Sequence, residues 1–464
     1  MAAKEKVDKK LAKKIAESNF SEKSKILAKG AVPHSECVLR SRKSVQRRGK
    51  EETKMKNVLK KIAAVSLVAA MAVPFAGCSN NANSSSAADN SAASEGGEGN
   101  TATGGTFLLG GIGPITGAAA VYGNAVKNGA QLAVNEINAN GGVNGMTLEL
   151  NFQDDEHDAE KSVNAYNTLK DAGMKALVGT VTSAPCVAVS AEAAKDNMFL
   201  LTPSGSSLDA ISAGDNCFRV CFTDPGQGKI AADYIVDKNL ATKVGIIYDS
   251  SDVYSTGILD GFKAEAAEKG LEISAEEAFT ADAKTDFSVQ IQKVMDSGAD
   301  LLFLPIYYQE ASLILQQAKS AGMNMPVFGG DGLDGLIDQL GDKVDIADGV
   351  LVMPPFAASS PDEKSAAFTK AYGELTNGEV PIQFAADGYD AVYAIKLALE
   401  KAGVNDPNMS ASDVCDKLKV AMTEITLDGV TGSTTWTADG EPTKAPQVMK
   451  ITVTDGVGSY VSAQ

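Results

Sequence analysis

Histidine is nearly absent from this chain: two occur in 464 residues, His34 and His157. That scarcity excludes multi-histidine metal sites and most histidine-based nucleophile triads. Cysteine is also scarce, six in all, and no disulfide framework is evident. Cys217 and Cys221 lie four apart in a strand-like run. Extended spacing puts them ~13 Å apart, too far to bridge directly. Cys186 and Cys415 read as free core thiols. Basic residues are few beyond residue 77, where 23 Lys/Arg face 52 Asp/Glu. A body so acidic lacks the footprint that nucleic acid needs. No short-period repeat is present. Asp154, Asp155, Glu156 and Asp158 surround His157, but their spacing does not match a Ca²⁺ loop, and a helix start is the plainer reading. Gly111-x-Gly113-x-x-x-Gly117 departs from a dinucleotide loop and is interrupted by Pro114, so it reads as a tight turn. No cofactor, no metal and no catalytic constellation is expected.

Charge is unevenly spread: residues 1–77 hold 19 Lys/Arg against 7 Asp/Glu. Within them, Met55 to Lys61 is a basic start and Ile62 to Val73 an apolar run. The run is shorter than the ~20 residues that span a bilayer. With the small residues before Cys78, it reads as a secretory signal peptide over 55–77. FAGC, ending at Cys78, resembles a bacterial lipoprotein cleavage box, with Phe75 where Leu is usual. That resemblance implies lipid attachment at Cys78 and anchoring outside the cytoplasm. Residues 1–54 are basic and without periodicity, an untranslated or disordered extension. Lys50-Glu51-Glu52 can be encoded as AAG-GAG-GAA, a ribosome-binding sequence two codons before Met55. Residues 78–104 are rich in Ser, Asn, Ala and Gly and form a flexible tether. It would reach roughly 25–30 Å.

From Thr106 onward, strand-like and helix-like runs alternate. Val126, Ala130, Ala133 and Ile137 mark one helix face, stopped by Gly141-Gly142. Short apolar strands recur at 176–179, 198–201, 244–248, 300–305 and 326–328. The pattern is α/β, with parallel sheets covered by helices, and its length calls for two lobes. Ligands in such folds bind at the carboxyl ends of strands. Several strand ends here carry hydroxyls, tyrosines or an acid: Thr180 to Pro185, Thr202 to Ser207, Asp249 to Tyr254, Tyr307-Tyr308 and Gly329 to Gly332. Each alone is as good a turn or cap as a contact. Together they offer what a zwitterion requires: donors for a carboxylate, acceptors for an ammonium and an apolar pocket.

Gly113–Gly145 (GPITGAAAVYGNAVKNGAQLAVNEINANGGVNG) resembles the opening of the leucine/isoleucine/valine-binding proteins of ABC importers. The likeness continues through FQDDEHDAEKSV, GTVTSAP, LLTPSGSS, YDSSDVYSTG, YYQEASLILQQAKSAG and FGGDG. It implies a type I periplasmic-binding-protein fold, two Rossmann-like lobes joined by a three-crossover hinge. Crossovers near Thr223, Phe356 and Leu427 would make residues 105–222 with 357–427 the first lobe, and 223–356 with 428–464 the second. It further implies a monomer that captures a small amino acid, branched-chain by preference, and delivers it to a membrane permease. Matching the family motifs assigns Ser183 to the carboxylate, Ser206 to the amino acid backbone and Ser204 to the ammonium through its carbonyl. Thr182 accompanies Ser183, and Tyr254 and Tyr307 belong to the second lobe. Asp331 falls on the ammonium partner, usually Glu, while Tyr122 stands at the mouth and Phe384 in the side-chain pocket. Two alternatives are a sensor of the same fold and a binder of an amide, urea or aromatic acid. If Met55 is the start, a tryptic digest of native cells contains no peptide from residues 1–54; finding one overturns that reading.

Overall fold

The computed structural model describes residues 104–463. The expected basic extension, signal peptide, Cys78 and tether up to residue 103 lie outside them.

The first lobe is built from β1 (Thr106–Gly113), α1 (Ala120–Ala139), β2 (Thr147–Asp154), α2 (Ala159–Asp171), β3 (Ala176–Gly179), α3 (Ser183–Asp196), β4 (Leu200–Thr202) and β5 (Cys217–Arg219). The second continues with α4 (Asp224–Asp237), β6 (Lys243–Asp249), α5 (Val253–Lys269), β7 (Glu272–Phe279), α6 (Ser288–Asp296), β8 (Leu301–Leu304), α7 (Tyr308–Ser320), β9 (Val327–Gly329), α8 (Leu336–Leu340) and β10 (Leu351–Val352). The chain then forms α9 (Glu363–Thr376), α10 (Gln383–Ala402), α11 (Ala411–Met422), a small β11–β12 ribbon (Leu427–Gly429, Gly432–Thr434) and the β13–β14 hairpin (Met449–Thr454, Val457–Ser462).

The first sheet has the order β2-β1-β3-β4-β5 and is parallel throughout. In the second, β7-β6-β8-β9-β10 repeats that winding, and β13 and β14 add an antiparallel edge. Each sheet therefore has a switch point, between β1 and β3 and between β6 and β8, where loops diverge and leave a crevice. Helices cover both faces of each sheet. Phe107, Leu109, Ala133 and Ile137 pack with Val392 and Leu418 on one side of the first sheet. Ile112, Tyr166 and Val189 fill the other. The expected face of α1 is buried at Val126, Ala130, Ala133 and Ile137. Gly141 and Gly142 end that helix with φ of 96° and 76°, a region only glycine enters without strain.

The chain passes between the sheets three times. The first passage runs from β5 to α4 and the second from β10 to α9. The third lies further along than Leu427. Trp436 is buried in the first lobe's core, where its indole N–H donates to the Arg219 carbonyl at 2.7 Å. The chain stays there through the Trp436–Pro442 bridge and joins the second sheet only at β13. Residues 428–442 therefore belong with the first lobe, because burying an indole with its N–H paired outweighs an early return.

Helices α1 and α10 cross at glycines. A Cβ on Gly129 would stand 1.9 Å from the Ala385 carbonyl oxygen, and one on Gly388 2.6 Å from that of Val126. Gly129→Ala would gain about 1 kcal/mol of helix propensity. Overpacking costs about 1–3 kcal/mol or more, and a contact of 1.9 Å with backbone puts this site at the upper end, so the loss outweighs the gain. A lower urea midpoint is the expected outcome, and a raised one would show that the helices part without penalty.

Candidate functional site

A small cavity lies between the two switch points. Its walls are Tyr122, Thr182, Ser183, Ser204, Ser206, Tyr254, Tyr307, Asp331 and Phe384, with Val181 and Gly332. The structure thus brings all nine residues singled out in the sequence to one place. A larger open groove lies on the first lobe beside Glu136, Tyr389 and Tyr393. There both tyrosine hydroxyls already donate to Glu136, and Lys364 pairs with Asp428.

The hydrogen bonds fix what each wall can offer. Ser183 opens α3, and its Oγ accepts the Ser207 N–H at 3.2 Å, which leaves its hydroxyl proton to be donated. The positive end of the α3 dipole stands at the same wall and favours an anion. Ser204 behaves oppositely. Its hydroxyl donates to the Val181 carbonyl at 2.6 Å, so its oxygen has only acceptor capacity left. Thr182 Oγ1 meets His157 Nδ1 at 2.8 Å. Ser206 is buried, and its carbonyl accepts the Asp224 N–H at 3.0 Å, where the chain enters α4.

Asp331 follows β9 in a single 3-10 turn and is held from three directions. The Tyr254 hydroxyl donates to Oδ1 at 2.9 Å. Asp331 N–H donates to Gln227 Oε1 at 2.8 Å, and its carbonyl accepts from Gln383 Nε2 at 2.6 Å. Burial pushes the carboxyl up to about 6, against the pull of the Tyr254 and Gln227 hydrogen bonds. Two further buried acids, Asp224 and Asp387, are shifted well upward by the same desolvation. The region is thus short of positive charge, and an incoming cation would favour the ionised form of Asp331.

Aromatic rings close the remaining sides. Tyr254 stacks on Tyr307 with centroids 4.7 Å apart, and Tyr122 on Phe384 at 4.1 Å. Tyr122 comes from the first lobe, yet its hydroxyl donates to the Gly332 carbonyl and accepts the Tyr308 N–H at 3.2 Å. It therefore spans the cleft as well as lining its mouth. Gln227, Gln383 and His157 were not singled out as site residues by the sequence. The two glutamines, about a hundred and fifty residues apart in sequence, hold the backbone N–H and carbonyl of the same residue, Asp331, and a glutamine in a helix carries no local mark of such a role.

Comparison with known proteins fits this geometry. A family model described as periplasmic binding protein matches residues 106–456, and the chain belongs to that family, one of solute-binding proteins that work outside the cytoplasm and not of enzymes. Within it, the chain belongs to the leucine/isoleucine/valine-binding group. It is 32% identical over 301 residues to Leu/Ile/Val-binding protein homolog 3 of Brucella melitensis, covering 64% of this chain and 80% of that protein. Among solved structures, it is similar to the branched-chain amino acid transporter substrate binding protein LivJ of Streptococcus pneumoniae in complex with isoleucine. There the TM-score is 0.68 at 30% identity, over 77% of this chain and 99% of that one. A Rhodopseudomonas palustris solute binding protein in complex with 3,4-dihydroxy benzoic acid has the same TM-score, 0.68, at 21% identity, covering 77% of this chain and 96% of that one. At that identity the likeness shows the fold alone. None of the helices among the described residues is long and apolar enough to cross a membrane.

The raised pKa of Asp331 has a thermodynamic sign. A carboxyl whose folded value lies near 6 stabilises the ligand-free fold below the unfolded value of 3.8, and that contribution is lost as pH rises through 6. Asp331→Asn removes the penalty. Its melting temperature should exceed that of the wild type by a few degrees at pH 7.5, and the gap should shrink steadily as pH falls and close only below the unfolded value of 3.8. A difference independent of pH would contradict the buried-acid account.

Proposed function

We propose that this chain is the substrate-binding lipoprotein of an ABC importer, and that it captures a branched-chain amino acid by closing its two lobes and hands it to the permease. The observation that carries the reading is the division of the cavity. Ser183 and the α3 N-terminus offer donors to a carboxylate, and Ser204 and Asp331 offer acceptors to an ammonium. Tyr122, Phe384, Tyr307 and Val181 leave apolar surface for the side chain. A neutral amide or an aromatic acid would leave Asp331 buried without a cation, which is costly. The names of the relatives support the same ligand class. Lipid attachment at Cys78, the tether of residues 78–104 and a monomeric state complete the proposal and rest on the sequence alone.

Ligand released from the purified, denatured protein and identified by mass spectrometry tests the reading. Leucine, isoleucine or valine is expected, and recovery of a molecule without an amino group overturns it. An ionic hydrogen bond in a closed cleft contributes about 1.5–3 kcal/mol. Asp331→Ala should therefore weaken leucine binding in titration calorimetry by roughly 10- to 100-fold. Unchanged affinity would remove Asp331 from the site.

A further inference from the structure

The acidic segment around His157 divides into two parts. Asp158 does what a helix start requires, accepting the Lys161 N–H at 2.8 Å at the head of α2. His157 takes no part in that cap. Glu156 and His157 occupy the left-handed region with φ of 52° and 59°. Asp154 Oδ1 holds the first N–H at 3.0 Å, and Asp155 Oδ1 the second at 2.9 Å. Asp155 is itself fully buried and also accepts from Ser162 Oγ at 3.0 Å. This frame turns the imidazole away from α2 and into the cleft.

There it touches both lobes. Nδ1 lies 2.8 Å from Thr182 Oγ1, on the cavity wall of the first lobe. Nε2 lies 4.0 Å from Asp252 Oδ2 of the second. The ring also stands edge-on to Tyr307, with centroids 5.6 Å apart at 87°. Asp252 caps α5 by accepting the Tyr254 N–H at 2.9 Å, and Tyr307 is the ring stacked on Tyr254. Behind Asp252, Lys284 pairs with Asp249 at 2.9 Å and with Glu310 at 3.3 Å. Burial holds the imidazole below its ordinary pKa against the pull of Asp252, so it is neutral near pH 7. A neutral imidazole carries one N–H. The nearby Asp252 carboxylate favours that proton on Nε2, and Nδ1 then accepts from the Thr182 hydroxyl.

We propose that His157 is a positioning residue for ligand capture, bridging Thr182 of the first lobe to Asp252 and Tyr307 of the second and slowing the opening of the loaded cleft. The proposal rests on the reading that the cleft closes over an amino acid. Opening separates the imidazole from Asp252 and Tyr307 but leaves it on Thr182. The effect therefore falls on release rather than on encounter.

A double-mutant cycle with leucine as the probe tests this. Release is followed by stopped-flow fluorescence, and folding by the melting temperature of the ligand-free protein. His157→Leu should release leucine roughly three- to tenfold faster, with association little changed. Asp252→Asn keeps a capping side chain and should speed release similarly. The two combined should be no faster than the larger single effect, because they break one contact. His157→Gln, with an amide that can reach both partners, should restore slow release in large part. Strictly additive effects overturn the bridge, as does a drop in ligand-free melting temperature that accounts for the loss. Unchanged release in both single variants overturns it while leaving the ligand assignment intact. Failure of the wild type to bind leucine, isoleucine or valine overturns both.

Discussion

A single buried guanidinium ties the pocket to the hinge. Arg219 is fully buried at the end of β5. Its Nη1 donates to the carbonyls of Gly205 at 3.0 Å and Ser207 at 2.9 Å, on either side of Ser206. Its Nε pairs with Glu441 at 3.2 Å. Its own backbone N–H donates to Gly440 and its carbonyl accepts from Trp436. One residue thus fixes the loop carrying Ser204 and Ser206, the start of the first passage between lobes and the approach to the third. Stripping water from a guanidinium is expensive, and with Nε and Nη2 lacking hydrogen-bond partners the compensation falls on the two carbonyls that Nη1 holds. Those partners are consequently fixed, and a fixed loop presents Ser204 and Ser206 in one geometry. Lysine would not reproduce this arrangement, since its compact charge lacks the planar fork that sets Nη1 on two carbonyls while Nε stands beside a carboxylate.

The electrostatics around this clamp favour binding over stability. Asp224, Asp331 and Asp387 are all buried near one another, and desolvation raises each of them. Arg219 and Lys444 supply the opposing charge for Asp224 and Asp387 respectively. Asp387 Oδ1 lacks a hydrogen-bond partner, and the Ser206 side chain is what opposes the upward shift of Asp224 most. An empty cleft therefore holds acid groups that would be better solvated elsewhere, and a cationic group arriving at Asp331 relieves part of that strain. Stability given up at a site and recovered on binding is a general feature of ligand pockets.

Much of this architecture was legible in the sequence because it depends on local pattern. The alternation of short apolar runs with periodic helices marks the two α/β lobes, since strands buried on both faces read as unbroken apolar stretches. Ala176–Gly179 is such a run and is a strand with those bounds. The polar strand ends could be found for the same reason, because turns follow strands wherever the winding repeats. What escaped depends on contacts between distant segments. Trp436 stays with the first lobe because of a carbonyl 217 residues earlier, so nothing near Leu427 signals the delay. Gln227 and Gln383 hold Asp331 by its backbone, a role that leaves no local trace. His157 was visible as an oddity, but its acidic neighbours matched a helix cap, and only the left-handed turn separates its direction from theirs.

The repeated winding also explains how one cavity acquires opposite polarities. Parallel sheets of the same order present equivalent crevices, and facing them across a cleft sets one switch point against the other. The first lobe brings a helix N-terminus to its crevice at Ser183, which suits a carboxylate. The second brings an acid in a short turn at Asp331, which suits an ammonium. Neither half alone encloses a zwitterion, because each supplies mainly one sign. Tyr122 and His157 reach across from the first lobe, and their partners in the second, Gly332, Tyr308, Tyr307 and Asp252, lie in or beside the loops that line the cavity. Closure and recognition are consequently one event: the contacts that join the lobes are made by the same loops that complete the charge pattern.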